Sequence, residues 1–318
     1  MANETTTTSA NDIVNDSVVT PTVILALSER PGLAVRVCRE FNWTGPGAAM
    51  KIPKLNSFWG SPGDRGAGAD TEFDGVEAEA AGNTQITTDG IALSAPEYVV
   101  AHALSRTLEE DTSLDGAQLL ALIQGAMLTA LLIALDDDFC ALAPGLSQSV
   151  GSTGVDFTIA QAMDATHGII TRGANCDAME FVLDPEQVKN VRTAALSTNA
   201  SVAVYAATAD RMIGLAPVRG AERGQGRVLT LDGCVVTQSG LCDTANTGAD
   251  VAGMAFCPTT AYNDANSSTT FGIGWKRLPM LEQQGQAKAR SKDIVLSMRV
   301  GLSELQDGSG TAVLTDAP

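Results

Sequence analysis

Apolar residues are spread very unevenly along this chain. Between Leu119 and Leu135 it reads LLALIQGAMLTALLIAL, and only Gln124 and Thr129 interrupt the apolar faces. That pattern predicts a helix. Asp115 with Gln118 three residues on resembles a capping box, and Pro144 and Gly145 stop the run. The predicted helix covers 116–143, a rod of about 40 Å at ~1.5 Å per residue. A helix this apolar must be covered on most sides, so Leu120, Ile123, Met127, Leu128, Leu131 and Leu135 are its expected core residues. The run is slightly short for a bilayer core of ~30 Å and leads straight into Asp136, Asp137 and Asp138. A buried helix is expected, not a membrane span.

The segment ahead of it has the opposite character. From Thr44 to Asp89 the chain runs through Gly, Asp, Glu, Ser, Thr and Asn with few core candidates. Compact domains rarely carry an unpacked stretch of that length. Yet Met50, Ile52, Phe58, Trp59 and Phe73 are costly to leave in water. The segment is therefore expected to pack on another molecule, with Met50–Pro53 as one strand and Thr84–Thr88 as the returning one. Met1 to about Ser28 reads as an arm whose Ile13, Val14, Val18, Val19, Val23, Ile24 and Leu25 dock on something.

Elsewhere the pattern alternates between helix and strand. Arg36–Phe41 reads as a strand or connector and Ile91–Leu104 as one extended run, with Pro96 marking an edge or bulge. Phe157–Thr171 is helical and Met179–Leu183 is a short buried strand. Asp184, Pro185 and Gln187 then open a helix with a capping box. Arg227–Val236 reads as a hairpin turning at Asp232–Gly233. Val251–Cys257, Phe271–Leu278, Asp293–Leu305 and Thr311–Leu314 are strands, with Asp307–Gly308 a turn before the last. Ile294, Leu296, Met298, Val300 and Leu302 alternate strictly, which predicts a sheet covered on one face. The fold class is α+β.

The 318 residues carry 20 basic and 37 acidic side chains, a net charge of −17. That balance argues against direct nucleic-acid binding, which depends on Lys and Arg against phosphate. An acidic wall still permits a chain to enclose DNA. The six cysteines form no CxxC pair and no zinc spacing. The N-terminal MANETTTTSAND has no secretory signal, so the thiols are expected to be reduced and mostly buried.

Chemistry-bearing motifs are sparse. His102 and His167 have no nucleophile or carboxylate at a recognisable spacing, and no GxSxG, Walker loop, HExxH or dinucleotide fingerprint occurs. Asp70-Thr71-Glu72-Phe73-Asp74-Gly75 imitates half a calcium loop, but Ala81 stands where its last ligand belongs. Asp136–Asp138 cannot converge on one ion, since neighbouring helical residues point about 100° apart. They are expected to face solvent or an interface. No enzyme, cofactor or metal is expected.

The order of arm, polar hairpin, spine helix, α/β region and return strands resembles the major capsid protein of tailed bacteriophages, the fold described for phage Hong Kong 97. Leu135-Asp136-Asp137-Asp138-Phe139 ends the spine as in several marine phage capsid proteins. Trp275-Lys276-Arg277-Leu278-Pro279, Gln286-Ala287-Lys288-Ala289-Arg290 and Glu304-Leu305-Gln306-Asp307-Gly308-Ser309-Gly310 are similar to the C-terminal part of such proteins. The resemblance implies an N-terminal arm over 1–45 and an extended loop over 46–90. It implies a peripheral domain over 91–154 and 270–318 and an axial domain over 155–269. It implies Ile52, Phe58, Trp59, Arg65 and Phe73 as subunit-interface residues of the loop. The function implied is self-assembly into pentamers and hexamers of an icosahedral shell around double-stranded DNA. Such a protein is a virion component built in the host cytoplasm with a separate scaffolding protein, a portal and a cement protein. The cross-linking chemistry of some members is not carried over to Lys51 or Lys54. An encapsulin-type compartment is the alternative, followed by a soluble α/β enzyme with a disordered loop.

Overall fold

The computed structural model describes residues 4–5, 31–43, 47, 49–55, 88–111, 116–176, 178–198, 216–217, 227–231, 233–259 and 268–316. Two large sheets and a small ribbon organise them.

The five-stranded sheet has the order β1-β5-β14-β13-β2. Its strands are β1 (Glu4–Thr5), β5 (Glu97–Ser105), β14 (Ser291–Glu304), β13 (Phe271–Gln286) and β2 (Arg39–Asn42). The predicted strand from Phe271 to Leu278 runs on to Gln286. The register shifts between Trp275 and Arg277 and again before Met280, so Pro279 falls in a bulge and removes no ladder bond. The predicted alternation is present in part: Ile294, Leu296, Met298 and Val300 are buried and Leu302 is half-buried, while Ser297 and Gly301 on the other face are buried as well.

That inner face carries the spine helix. It spans Gly116–Cys140 and is followed by a 3₁₀ turn over Ala143–Gly145, so it ends three residues before the predicted 143. Asp115 lies outside the described residues. Met127, Leu131, Leu135 and Phe139 form the buried stripe, with Leu120 and Ile123 packed partly against it. Leu128 is 38% exposed. The expectation that this helix is covered on most sides, Leu128 included, is therefore wrong for the single chain. Positions 127, 131, 135 and 139 form one inclined i+4 ridge, and Leu128 lies off that ridge.

The eight-stranded sheet has the order β6-β15-β12-β7-β10-β9-β8, with β11 (Thr244–Ala245) paired to β12. The others are β6 (Ser149–Gly151), β7 (Glu180–Leu183), β8 (Ala216–Pro217), β9 (Arg227–Leu231), β10 (Cys234–Gln238), β12 (Asp250–Phe256) and β15 (Gly310–Asp316). The predicted hairpin is β9–β10, with Gly233 at φ 77° in its turn. Every residue of β7 and β12 is buried. Two helices accompany this sheet, α4 (Ile159–Thr171) and α5 (Pro185–Thr198). Thr158 and Gln161 form a full capping box on α4. The predicted box on α5 is present, with Asp184 N–H donating to Gln187 Oε1 at 3.1 Å and Glu186 N–H to Asp184 Oδ1 at 2.7 Å.

Both β6 and the closing strand β15 pair into this second sheet. The sheets therefore do not divide the chain at the expected boundaries, because 91–154 and 270–318 each send a strand across. Phe139 of the spine, Phe256 of β12 and Phe271 of β13 meet edge-to-face with ring centroids 5.1–5.9 Å apart. This cluster joins the two sheets.

Three local expectations change. The stretch expected as a strand or connector opens as a helix, α1 (Leu33–Val37), before β2. The run from Ile91 splits at Ala95–Pro96 into β4 (Thr88–Ser94) and β5. Cys176 and Cys257 form a disulfide, with Cα atoms 5.6 Å apart, where reduced thiols were expected. The loop after α4 is held beside the end of β12, partly by Ser268 N–H donating to Asn175 O at 2.8 Å.

Candidate assembly surface

The predicted polar hairpin begins as a two-stranded ribbon, β3 (Ala49–Leu55) with β4, in register from Ala49↔Ser94 to Leu55↔Thr88. Of the returning strand suggested over 84–88, Thr88 opens β4, and 84–87 lie outside the described residues. The base of the ribbon crosses the outer face of the five-stranded sheet over two glycines. Gly274 and Gly301 sit opposite each other in β13 and β14. A Cβ on Gly274 would press on Leu93 and Met50, and one on Gly301 would strike the Ser94 backbone. Only glycine admits the crossing. Lys276 adds a hydrogen bond to Gly47 O and lies 5.3 Å from the Trp43 ring centroid. Of the interface residues expected in the loop, Ile52 lies in β3 opposite Ile91 and is half-buried. Phe58, Trp59, Arg65, Phe73 and the Asp70–Asp74 string lie outside the described residues.

Beyond the glycine pair the outer face changes character. One row across the sheet is Glu97, Arg299 and Arg277, and the next is Val99, Ser297 and Met280. Arg277 pairs with Glu97 and donates to Ser297 Oγ at 2.8 Å, while Arg299 donates to Ala95 O at 3.2 Å. Both arginine Nε atoms are buried without a partner. Arg277 and Arg299 stand directly opposite each other, a like-charge arrangement, and among the described residues only Arg277 has an ion pair. Beside them Leu278, Val99 and Met280 are 66%, 52% and 42% exposed. The chemistry that fits is a carboxylate next to an apolar side chain.

The three acids at the end of the spine part company. Asp136 is 1% exposed, so the expectation that it faces solvent or an interface is wrong. Its carboxylate accepts from the N–H groups of Gly32 (2.7 Å), Leu33 (3.1 Å) and Ala34 (2.8 Å). It caps α1 from 102 or more residues away. Burial raises its pKa, against the opposing pull of those donors and of Arg36. Burial, then the nearby Asp136, also pushes the Cys38 thiol well up. Asp138 accepts from the Tyr98 hydroxyl, and Asp137 is exposed. Arg36, one turn into α1, makes two hydrogen bonds to Glu180 of β7, at 2.8 and 2.5 Å. Through α1 the spine is therefore tied to the second sheet. Sequence reading missed this lock, because no local pattern links Asp136 to residue 32.

The remaining chemical candidates are scattered. His102 sits in β5 opposite Ile294, and burial lowers its pKa. His167 is exposed on α4, 3.3 Å from Thr171 Oγ1. Lys288 and Arg290 are exposed at the turn of the β13–β14 hairpin, with Lys292 beside them.

No family model matches the chain, and no curated protein matches it. Solved structures do. The capsid of cyanophage P-SCSP1u is 12% identical, over 97% of this chain and 94% of that one, with a TM-score of 0.65. The capsid of Ralstonia phage GP4 is 10% identical, over 95% and 96%, with a TM-score of 0.66. The fold is that of a tailed-phage capsid subunit. The same fold is shared by the SrpI encapsulin of Synechococcus elongatus, at 10% identity over 96% and 94% and a TM-score of 0.60. At these identities the likeness is one of fold.

Proposed function

We propose that this protein is a structural shell subunit, a major capsid protein that assembles into pentamers and hexamers of an icosahedral shell around double-stranded DNA. The observation that carries the proposal is the incomplete outer face of the five-stranded sheet. Two arginines stand opposite each other there with a single ion pair, beside three exposed apolar side chains and near the base of the β3–β4 ribbon. In this reading residues 1–45 are the arm and 46–90 the extended loop. The five-stranded sheet and spine make the peripheral domain, and the eight-stranded sheet with its helices makes most of the axial domain. The loop of one copy covers the Arg277–Arg299 surface of the next, with Ile52, Phe58, Trp59, Arg65 and Phe73 among its contacts. The subunit has no catalytic role. A separate scaffolding protein, a portal and a cement protein complete the particle, which is a virion assembled in the host cytoplasm.

The fold alone fits an encapsulin equally well. The net charge of −17 argues against affinity of the wall for DNA, so what is enclosed decides between the two. Particles from producing cells are treated with nuclease and opened. Protected double-stranded DNA is the expected content. A protein cargo in DNA-free shells supports the encapsulin reading instead.

A further inference from the structure

The open face of the five-stranded sheet has a fixed layout. Glu97, Arg299 and Arg277 form one row across β5, β14 and β13, and Val99, Ser297 and Met280 form the next. Successive rows on one face lie ~7 Å apart along the strands. The first row is cationic on balance. Glu97 is paired with Arg277, and Arg299 has no ion pair among the described residues. The Nε atoms of both arginines are buried without a partner. The second row is apolar at both ends, with Val99 and Met280 exposed. A segment that fits this face presents carboxylates to one side and a large apolar group to the other.

One stretch of the chain has that alternation. β3 ends at Leu55 and β4 starts at Thr88, and residues 56–87 lie outside the described residues. Their large aromatic side chains are Phe58, Trp59 and Phe73, and of these Phe73 alone stands between two acids, Glu72 and Asp74. Alternate side chains of an extended chain point to opposite sides. Laid across the strands between the two rows, such a segment sends Glu72 and Asp74 to the arginines and Phe73 to Val99 and Met280. The loop's length suits another molecule. The seven residues of β4 set its root ~20 Å from Ala95, which Arg299 touches. From Thr88 back to Asp74 the chain reaches up to ~45 Å further. The loop thus starts away from its own chain's arginines and is long enough to reach those of a second copy.

We propose that Glu72-Phe73-Asp74 of one copy is the segment that docks on the Arg277–Arg299 surface of the next. The proposal rests on the shell-subunit reading above and names the contact within it. Glu72 and Asp74 accept from the two guanidiniums, including the unpartnered Nε donors, and relieve the like-charge pair. Phe73 takes Val99 and Met280 out of water. The acidic string that imitates half a calcium loop is then an arginine ligand and needs no acid at Ala81.

The test uses the purified full chain and a fluorescent peptide of residues 68–77, followed by anisotropy. The peptide binds wild-type subunits, and its Glu72→Gln/Asp74→Asn and Phe73→Ala forms bind about tenfold more weakly or worse. Arg299→Glu subunits, folded by circular dichroism, lose the wild-type peptide by a similar factor. In assembly the Glu72→Arg/Asp74→Arg chain stays dispersed, and adding Arg299→Glu to that chain restores shells. A wild type that binds all three peptides alike overturns the proposal, and this comparison needs no variant chain to fold. Peptide binding by the Glu72→Arg/Asp74→Arg chain but not by wild type overturns it too, because the loop then covers its own chain's arginines. Normal shells from the Glu72→Arg/Asp74→Arg chain overturn this contact and leave the shell reading standing. Wild-type subunits that bind the peptide through Arg299 yet form no shells support the contact and refute the shell reading.

Discussion

In the eight-stranded sheet every residue of β7 and β12 is buried, whereas in the five-stranded sheet β5 alternates between half-buried and exposed positions. The first sheet is packed on both faces, and its central strands read as nearly continuous apolar text. The second is covered by the spine on its inner face only. Its outer face keeps Val99, Leu278 and Met280 in water beside two arginines with one acid between them. One region closes on itself; the other leaves an open face.

The largest expected effect separates buried from exposed positions on the spine. Leu135 is 0% exposed and Leu128 38%. Leu135→Asp places an unpaired charge in the core and should cost ~3–5 kcal/mol, enough to prevent folding. Leu128→Asp should give a soluble, folded subunit that fails in assembly. Circular dichroism with size-exclusion chromatography distinguishes the two. An unfolded Leu128→Asp protein would mean that the spine is covered on that side within one chain.

The disulfide ranks next. The Cys176–Cys257 bond closes a sequence separation of 81 residues within the self-contained region. Reduction, or Cys176→Ser, should cost roughly 2–4 kcal/mol and loosen the eight-stranded sheet first. Hydrogen exchange resolved by region reads this. Uniform loss across both sheets would show that they unfold as one unit.

Asp136→Ala should cost about 2 kcal/mol, because three backbone donors lose their acceptor and the tie between spine and α1 goes with them. Denaturant unfolding measures it.

How much of this was legible in sequence follows from range. The alternation from Ile294 to Val300 and the apolar run of the spine are local patterns, and both elements are present. The capping box at Asp184 is likewise a four-residue event. The exposure of Leu128 was not legible, since a helix apolar all round does not say which side is packed. Asp136 capping residue 32, Arg36 reaching Glu180 and β15 crossing to the second sheet are long-range facts without local signature. The arginine surface was hidden for another reason. Trp275–Pro279 contains a bulge, and without its register shift Lys276, not Arg277, would stand opposite Arg299.

Two smaller effects sharpen the comparison. Asp307 in the turn before β15 accepts from the Ser147 amide at 2.9 Å and from the Ser147 hydroxyl. Burial pushes its pKa up, but those bonds and Arg172 outweigh it, and the pKa lies below the ordinary 3.8. Its contribution to stability is thus fully present above 3.8 and is lost as pH falls through the lowered value. Asp136, with a raised pKa, has the opposite sign: its ionisation costs stability as pH rises through the interval above 3.8. Melting curves of Asp307→Asn and wild type should differ at neutral pH and converge in acid. The smallest effect on the subunit itself is that of Arg277→Gln with Arg299→Gln. These partly exposed changes should shift subunit stability by under ~1 kcal/mol and still abolish assembly.

The central claim is that the open sheet face is completed by another copy of this chain. The most direct test is electron microscopy of the purified full-length protein across a concentration series, beside the Arg277→Gln/Arg299→Gln variant. The account predicts rings of five and six subunits or closed shells for the wild type and dispersed, folded subunits for the variant. Wild-type protein that stays a folded monomer at every concentration, or shells of normal size from the variant, would contradict it.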